Sequence, residues 1–472
     1  MLQTLKNAWN TKELRSKILF TLFILLLYRI GTVIPVPFVE ANSFSSNFSG
    51  TILAQMDLLS GGSLSTATVF ALGVSPYINA SIIIQLLAVV FPRLGEIAKN
   101  DKEKMNFITR VVTVILAIVT AIGYYFLLKN AGMLVNAADP KQNPGMAWFY
   151  GIVIIACYCA GASIIMWLGE RINEKGIGNG ISMILFANII SSIPSFVYRL
   201  IDLVIGTYTY ENKAWLYGII STLFAVVLLA IVVALFVFVI WVTGSERRIP
   251  ITYAKRVVGR KMYGGQNSNL PIKLNMTGVM PIIFASSIVS LVPTILALCG
   301  VTNETKGFWG GASRVLAADG VVYPVSLFLL IIAFAYFYTQ ITFDPVEVSN
   351  NIKKQGGAIP GIRQGRPTSD YIKKILNKVT LVGALFLGIV AVLPVIAGPH
   401  IIQHLIEWIL SGSFATPESA AQYASAIETQ ASNLSSVFTF GGTSLLIIVG
   451  VAIETFRGLE SELTMRNYKG FL

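Results

Sequence analysis

Apolar residues are gathered along this chain into ten stretches, at 18–37, 69–90, 107–128, 148–168, 181–203, 217–242, 277–298, 322–343, 376–397 and 435–453. Each is close to the roughly 20 residues that a helix needs to cross about 30 Å of hydrocarbon. The pattern predicts an all-α polytopic membrane protein with ten transmembrane helices. Residues 50–72, with Gly61-Gly62 and only moderate apolar content, cannot cross alone and suit a re-entrant segment.

Composition narrows the classes that remain. Of 472 residues, 54% are hydrophobic and 12% charged, against about 25% charged in a soluble domain. No single globular core buries so much apolar side chain, and a soluble enzyme is excluded. Cys157, Cys159 and Cys299 sit within or at the end of apolar spans, where thiols pack as small core residues, so neither a disulfide framework nor a zinc site is implied. His400 and His404 precede Glu407 at a spacing that could hold a metal on one helical face. No further ligand set accompanies them, and Ile401, Leu405 and Trp408 suit an interfacial amphipathic helix instead. No metal or cofactor is expected. The beginning is like a signal peptide, with Lys6, Lys12, Arg15 and Lys17 ahead of an apolar run from Ile18 to Tyr28. Arg29 interrupts that run and no small-residue cleavage site follows before Pro35, which favours an uncleaved first span.

Charge sets the orientation. With the amino terminus inside, 28 of the 35 Lys and Arg fall in connections on the cytoplasmic side, so the positive-inside rule places both termini in the cytoplasm. Two of those connections are long, basic and rich in Gly and Pro: residues 243–274, with Arg247-Arg248, Lys255-Arg256 and Arg260-Lys261, and residues 344–375, with Lys353-Lys354, Arg363, Arg366 and Lys373-Lys374. Their plainest reading is as orientation signals or lipid-headgroup contacts; the functional one is a docking face for an acidic partner or RNA phosphates. The run Ile249-Pro250-Ile251-Thr252-Tyr253 suits part of a hairpin.

An internal repeat carries the most information. Residues 73–84 read GVSPYINASIII and residues 278–289 read GVMPIIFASSIV, identical at seven of twelve positions where about one match is expected by chance. These are the second and seventh stretches. Five spans per half is odd, so the halves insert in opposite directions, as inverted repeats do, with interrupted helices meeting near the midplane. A helix broken by Gly-x-x-Pro leaves backbone groups that lipid cannot satisfy and a protein-lined pathway can. Val74, Ile78, Ile282 and Ile283 flank the breaks and no acidic residue does. Such residues can merely pack a bundle; lining a pathway, they cannot coordinate a substrate but can dewet and seal a constriction. The alternative is a secondary transporter of a small solute, which needs a coordinating site. Residues 174–180, EKGIGNG, look like a phosphate-cradling loop but follow a membrane span and lack the P-loop lysine, so they read as a tight turn. No HExxH, G-x-S-x-G or intramembrane Asp pair occurs, which argues against an enzyme.

At these residues the sequence resembles the SecY family of bacterial protein-translocation channels. The resemblance runs through SGGSLSTATVFALGVSPYINASIIIQLL (60–87), WLGERINEKGIGNGIS (167–182), ERRIPITYAKRVVGRKMYGGQ (246–266), NMTGVMPIIFASSI (275–288), FDPVEVSNNIKKQGGAIPGIRQGRPT (343–368), LVGALFLGIVAVLP (381–394) and FGGTSLLIIVGVAIET (440–455). It implies a ten-span clamshell of two inverted five-helix halves, residues 1–203 and 217–472, hinged at 204–216. It implies an hourglass pore in the plasma membrane for unfolded secretory polypeptides, with a lateral gate that releases membrane segments into the lipid bilayer. Carried over by motif position, the pore ring falls on Val74, Ile78, Ile181, Leu185, Ile283 and Ile447, and Val74 and Leu185 depart from an all-isoleucine ring. The plug falls at about 56–66, on Met56, Asp57, Leu58, Leu59, Ser60, Gly61, Gly62, Ser63 and Leu64, and the gate's polar positions on Gln85 and Asn179. The family's contact for the motor ATPase SecA falls on Arg363, and its ribosome contacts fall on Lys255 and Arg256 beside Arg247 and Arg248. The small membrane subunits SecE and SecG are the other implied partners. The external connection at 398–434 is longer than the resemblance requires.

Overall fold

In the computed structural model the described residues are 2–40, 57, 60–130, 132–135, 146–209, 214–253, 256–258, 261–263, 267–298, 310–311, 315, 320, 322–412 and 424–469. The first half holds α1 (Leu2–Asn10), α2 (Lys12–Gly31), α3 (Ser75–Val90), α4 (Pro92–Asn100), α5 (Lys102–Asn130), α6 (Ala147–Lys175) and α7 (Gly180–Thr209). The second holds α8 (Ala214–Thr243), strands β1 (Glu246–Tyr253), β2 (Arg256–Val258), β3 (Lys261–Tyr263) and β4 (Asn267–Lys273), then α9 (Met280–Leu298), α10 (Val322–Thr342), α11 (Pro345–Lys354), β5 (Gly357–Ala358) and α12 (Arg366–Ala397). A π-helical turn (Gly398–Ile402), α13 (Gln403–Gly412) and the long α14 (Ala424–Lys469) complete it.

Each of the ten predicted stretches falls on a helix: α2, α3, α5 to α10, α12 and α14. Seven helices among the described residues are long and apolar enough to cross a membrane, or eight if α3 and α4, bent by 117° at the Phe91–Pro92 break, form one span. The chain is a multi-pass membrane protein. On α8, Leu223, Val226, Val237 and Trp241 are exposed; a helix apolar on every side and open on most of them belongs against lipid.

Several boundaries differ from expectation. The helix of the first stretch, α2, stops at Gly31 rather than 37, and Pro35 then forms a β-bridge with Thr68. The second begins at Ser75 rather than 69. Residues 61–74 run in turns that press on the first connection, where the Val69 N–H donates to the Ile34 carbonyl at 3.0 Å. Helix α12 takes ten residues of the expected basic loop 344–375, since Pro367 in its first turn is a favourable start. The expected hinge at 204–216 is mostly helix: α7 runs on to Thr209 and α8 begins at Ala214.

The expectation of internal breaks at the repeated Gly-x-x-Pro is corrected. Gly73 (φ +56°) and Gly278 (φ +64°) adopt the left-handed backbone that glycine tolerates, and the following Pro76 and Pro281 lie in the first turns of α3 and α9. The motif starts each helix. The two copies match in detail, because the Ile78 N–H donates to the Val74 carbonyl and the Ile283 N–H to the Val279 carbonyl, both at 3.1 Å. Proline stands inside helices elsewhere, at Pro194 of α7, Pro293 of α9 and Pro394 of α12, and none of these helices ends there.

The two basic connections form one unit. Strand β1 pairs antiparallel with β4, Ile249 opposite Leu270, and on its other edge with β5, Thr252 opposite Ala358. Ile249, Ile251 and Ile272 on the sheet bury against Ile352, Ile359, Ile372 and Leu376. Strands β2 and β3 form a separate two-stranded hairpin between them.

The largest core lies where α2, α3, α6, α7, α9, α10, α12 and α14 converge. Close approach depends on small residues. A Cβ on Gly161 of α6 would collide with the Val69 carbonyl. Gly161→Ala therefore forces a shift that costs on the order of 1–3 kcal/mol, read as a lower unfolding temperature in detergent; an unchanged temperature would show that α6 has room to move. Ile402 of the π-helical turn, Ile406 of α13 and Ala431 of α14 pack on Leu200 and Leu203 of α7 and Leu228 of α8.

Candidate functional site

Four residues of the predicted ring meet at one cavity. Ile78 on α3, Ile181 and Leu185 on α7, and Ile283 on α9 line a space of about 270 Å3, together with Tyr77, Ser81, Gln85, Asn179 and Phe284. None of the residues lining it is charged. Val74 and Ile447 are buried in the same core cluster as these four. All six are less than a tenth exposed, Ile283 at 5% and Ile447 at 2%. Helix periodicity explains part of this arrangement: Val74 and Ile78, like Ile181 and Leu185, are four apart and share a face. The repeat supplies the rest by presenting Ile283 from the other half at the position of Ile78.

The floor of the cavity is set by the turn between α6 and α7. The Asn173 Oδ1 accepts from the Gly180 N–H at 2.7 Å, and the Asn179 Oδ1 accepts from the Ile181 N–H at 3.1 Å, capping α7. Gly178 has φ +73°. Asn179 thus lines the cavity from α7, with its side-chain oxygen committed to its own helix. Gln85 stands differently: its Nε2 donates to Ser81 Oγ at 3.0 Å, and the Tyr338 hydroxyl on α10 donates to its Oε1. That bond joins α3 of the first half to α10 of the second. Phe284 packs its ring 5.1 Å from Tyr338 and 6.0 Å from Phe334 along the same seam. Sequence reading missed Tyr338; a hydroxyl in an apolar span, with few polar groups opposite, was the available signal.

Of the expected plug, Met56, Leu58 and Leu59 lie outside the described residues. The remainder is closely bonded: the Asp57 Oδ1 accepts from the Ser65 N–H at 2.8 Å, and Ser60 Oγ donates to the Asp57 carbonyl while accepting from the Leu64 N–H. Burial raises the Asp57 carboxyl above its usual range, with the Ser65 hydrogen bonds acting the other way. Ser63 and Leu64 are buried.

Arg247, Arg248 and Arg363 are exposed on the basic platform, with Arg248 Nε 2.7 Å from Glu246 Oε1. Arg256 is on β2, and Lys255 lies outside the described residues. Among the described residues no cluster of His, Cys, Asp and Glu could hold a metal ion; His404 Nδ1 sits 3.3 Å from Glu407 Oε2 on α13. Cys157 and Cys159 are half-buried free thiols, and Cys299 lies outside the described residues.

The family model for SecY matches residues 68–456. A protein translocase subunit SecY of Streptomyces galbus is 40% identical over 482 residues, covering the whole of both chains. The chain belongs to the SecY family. Its function is protein translocation through a channel, and the solute-transporter alternative is not favoured. Solved SecY and Sec61 channels share the fold at low identity. A structure on how the SecY plug domain stabilises the closed channel aligns with a TM-score of 0.58 at 17% identity, over 95% of this chain and 92% of that one. Sec61 in the canine ribosome-channel complex aligns with a TM-score of 0.54 at 16% identity and the same coverages.

Proposed function

We propose that Val74, Ile78, Ile181, Leu185, Ile283 and Ile447 form the constriction through which unfolded secretory chains pass across the plasma membrane, both termini of the protein being cytoplasmic. The observation that carries this reading is the cavity where both copies of the repeat meet, lined by aliphatic and neutral polar groups without a charge. A solute carrier must match charge or coordinate polar groups there. An aliphatic ring instead excludes hydrated ions when shut, and it has no side-chain preference when a polypeptide spreads it.

The bond from Tyr338 to Gln85 closes the seam of the lateral gate between α3 and α10. An apolar signal that wedges this seam open replaces a shielded contact with its own burial in lipid, worth about 25 cal/mol per Å2. On this reading the chain is a passive channel whose driving force comes from elsewhere. Force comes from partners at the platform: a motor of the SecA type at Arg363, and the ribosome at the β2–β3 hairpin and Arg247-Arg248. SecE and SecG type subunits cover lipid-facing helices such as α8.

The test is crosslinking. Cysteines placed at Ile78 and at Ile283 in the reconstituted translocase are each expected to trap a stalled secretory chain, while one at Leu223 on the exposed face of α8 is not. Trapping at Leu223 but at neither isoleucine would overturn the reading.

A further inference from the structure

Three polar groups of the first half gather at residues 60–68, ahead of α3, and the pore reading leaves them unused. Tyr124 on α5 is 2% exposed, and its hydroxyl donates to the Leu64 carbonyl at 2.5 Å. Arg29, in the last turn of α2, places Nη1 3.4 Å from the Gly61 carbonyl. Gly61 holds φ +71°, and a Cβ there would stand 3.2 Å from that Nη1 and 3.0 Å from Asn188 Oδ1. Asn188 of α7 in turn donates to the Tyr28 hydroxyl at 2.9 Å, one residue before Arg29.

We propose that Tyr124 and Arg29 are positioning residues that latch the base of the plug, Gly61 and Leu64, to the wall of the first half, and that the strength of this latch sets how apolar a signal must be to open the channel. The inference rests on the pore reading above.

The physics lies in a difference between closed and open states. With the plug seated, the Leu64 carbonyl is sealed among Ala117, Ala121, Tyr124 and Tyr158, away from water, and the Tyr124 hydroxyl answers it. Removing one partner from such a buried bond leaves the other to bear its desolvation. With the plug displaced into a water-filled funnel, the same carbonyl is hydrated and loses nothing. Losing the hydroxyl therefore acts on the closed state alone. Arg29 works in the same direction: a cation at the carboxyl end of α2 is already favoured by the helix dipole, and its guanidinium is held where the Gly61 carbonyl can accept from it. Gly61 provides this contact because only glycine takes its φ without strain.

The fold supplies its own control. Tyr158 packs edge-on against Tyr124 with ring centroids 5.0 Å apart, and its buried hydroxyl has no hydrogen-bond partner among the described residues. Tyr158→Phe removes the same atom from the same core without touching the latch.

The experiment measures resting ion conductance of the reconstituted full translocase in planar bilayers, beside secretion of a reporter whose signal has been made less apolar. Tyr124→Phe and Arg29→Gln are expected to raise resting conductance on the order of tenfold and to admit the weakened signal. Tyr158→Phe and Arg29→Lys are expected to stay near the parent. Ile283→Asn serves as the reference for an opened ring. Parental behaviour of Tyr124→Phe and Arg29→Gln beside a leaking Ile283→Asn would overturn the latch alone, and so would a Tyr158→Phe leak equal to that of Tyr124→Phe. Parental conductance in all of them, Ile283→Asn included, would overturn the pore reading beneath it.

Discussion

Ile283→Asn is expected to make the resting channel leak. The side chain is 5% exposed, lines the cavity beside Ile78, Ile181 and Leu185, and shares their core cluster. An amide at that position acts twice. It gives water a donor and an acceptor inside the proposed constriction, whose aliphatic residues otherwise favour dewetting, and each of its polar atoms left unpaired in the shut arrangement costs about 1–3 kcal/mol. Each 1.4 kcal/mol is a factor of ten in the open-to-shut ratio. Resting conductance should therefore rise on the order of tenfold or more, and signals of lower hydrophobicity should pass. Ile283→Leu, which keeps volume and polarity, should stay close to the parent. Single-channel recording and secretion of a reporter with a shortened signal measure the two effects. Normal protein level with parental conductance and parental signal selectivity would remove Ile283 from the seal.

The helices were legible because the bilayer imposes length and hydropathy on every span, and the meeting of Ile78 with Ile283 at one cavity because the duplicated Gly-Val-x-Pro marks the same place in both halves. Its local geometry was not legible. Glycine and proline punctuate a helix start and an internal break with the same letters, and only the backbone at Gly73 and Gly278 shows that α3 and α9 begin there. The union of the two basic connections was hidden for another reason: it hangs on Thr252 opposite Ala358, more than 100 residues apart, and β5 is two residues long. No periodic signal exists in two residues. Tyr338 reads as one more aromatic in α10 until Gln85 is brought across from α3. Tyr124 and Tyr158, equally buried in one cluster, are indistinguishable in sequence, yet one hydroxyl meets the Leu64 carbonyl and the other has no hydrogen-bond partner among the described residues. Pairings between distant residues are decided by tertiary placement, which hydropathy does not encode.

That placement also makes the platform testable without disturbing the pore, through Arg363→Glu. Arg363 is exposed on the turn between β5 and α12, and the turn is braced from behind. The Ile362 N–H donates to the carbonyl of buried Ile359, Gln364 Nε2 donates to the Gly357 carbonyl at 2.9 Å, and Thr368 Oγ1 donates to the Arg363 carbonyl at 2.8 Å. None of these bonds uses the guanidinium, so reversing its charge leaves the fold intact and alters what the surface offers a partner. A charge-paired contact desolvated at such an interface costs 2–5 kcal/mol when one member is removed, and more when it is reversed. Motor-driven secretion should fall at least tenfold. Insertion of membrane segments by translating ribosomes should fall less if, as proposed, the ribosome docks at Arg247-Arg248 and the β2–β3 hairpin. Arg363→Lys, which keeps the charge and loses the fork, should lie between. Parallel assays of a secreted reporter and a cotranslationally inserted one separate the routes at matched protein level. Equal loss in both would mean that the β1–β4–β5 platform presents a single shared site, since the sheet that binds the two connections together would then carry both partners on one face.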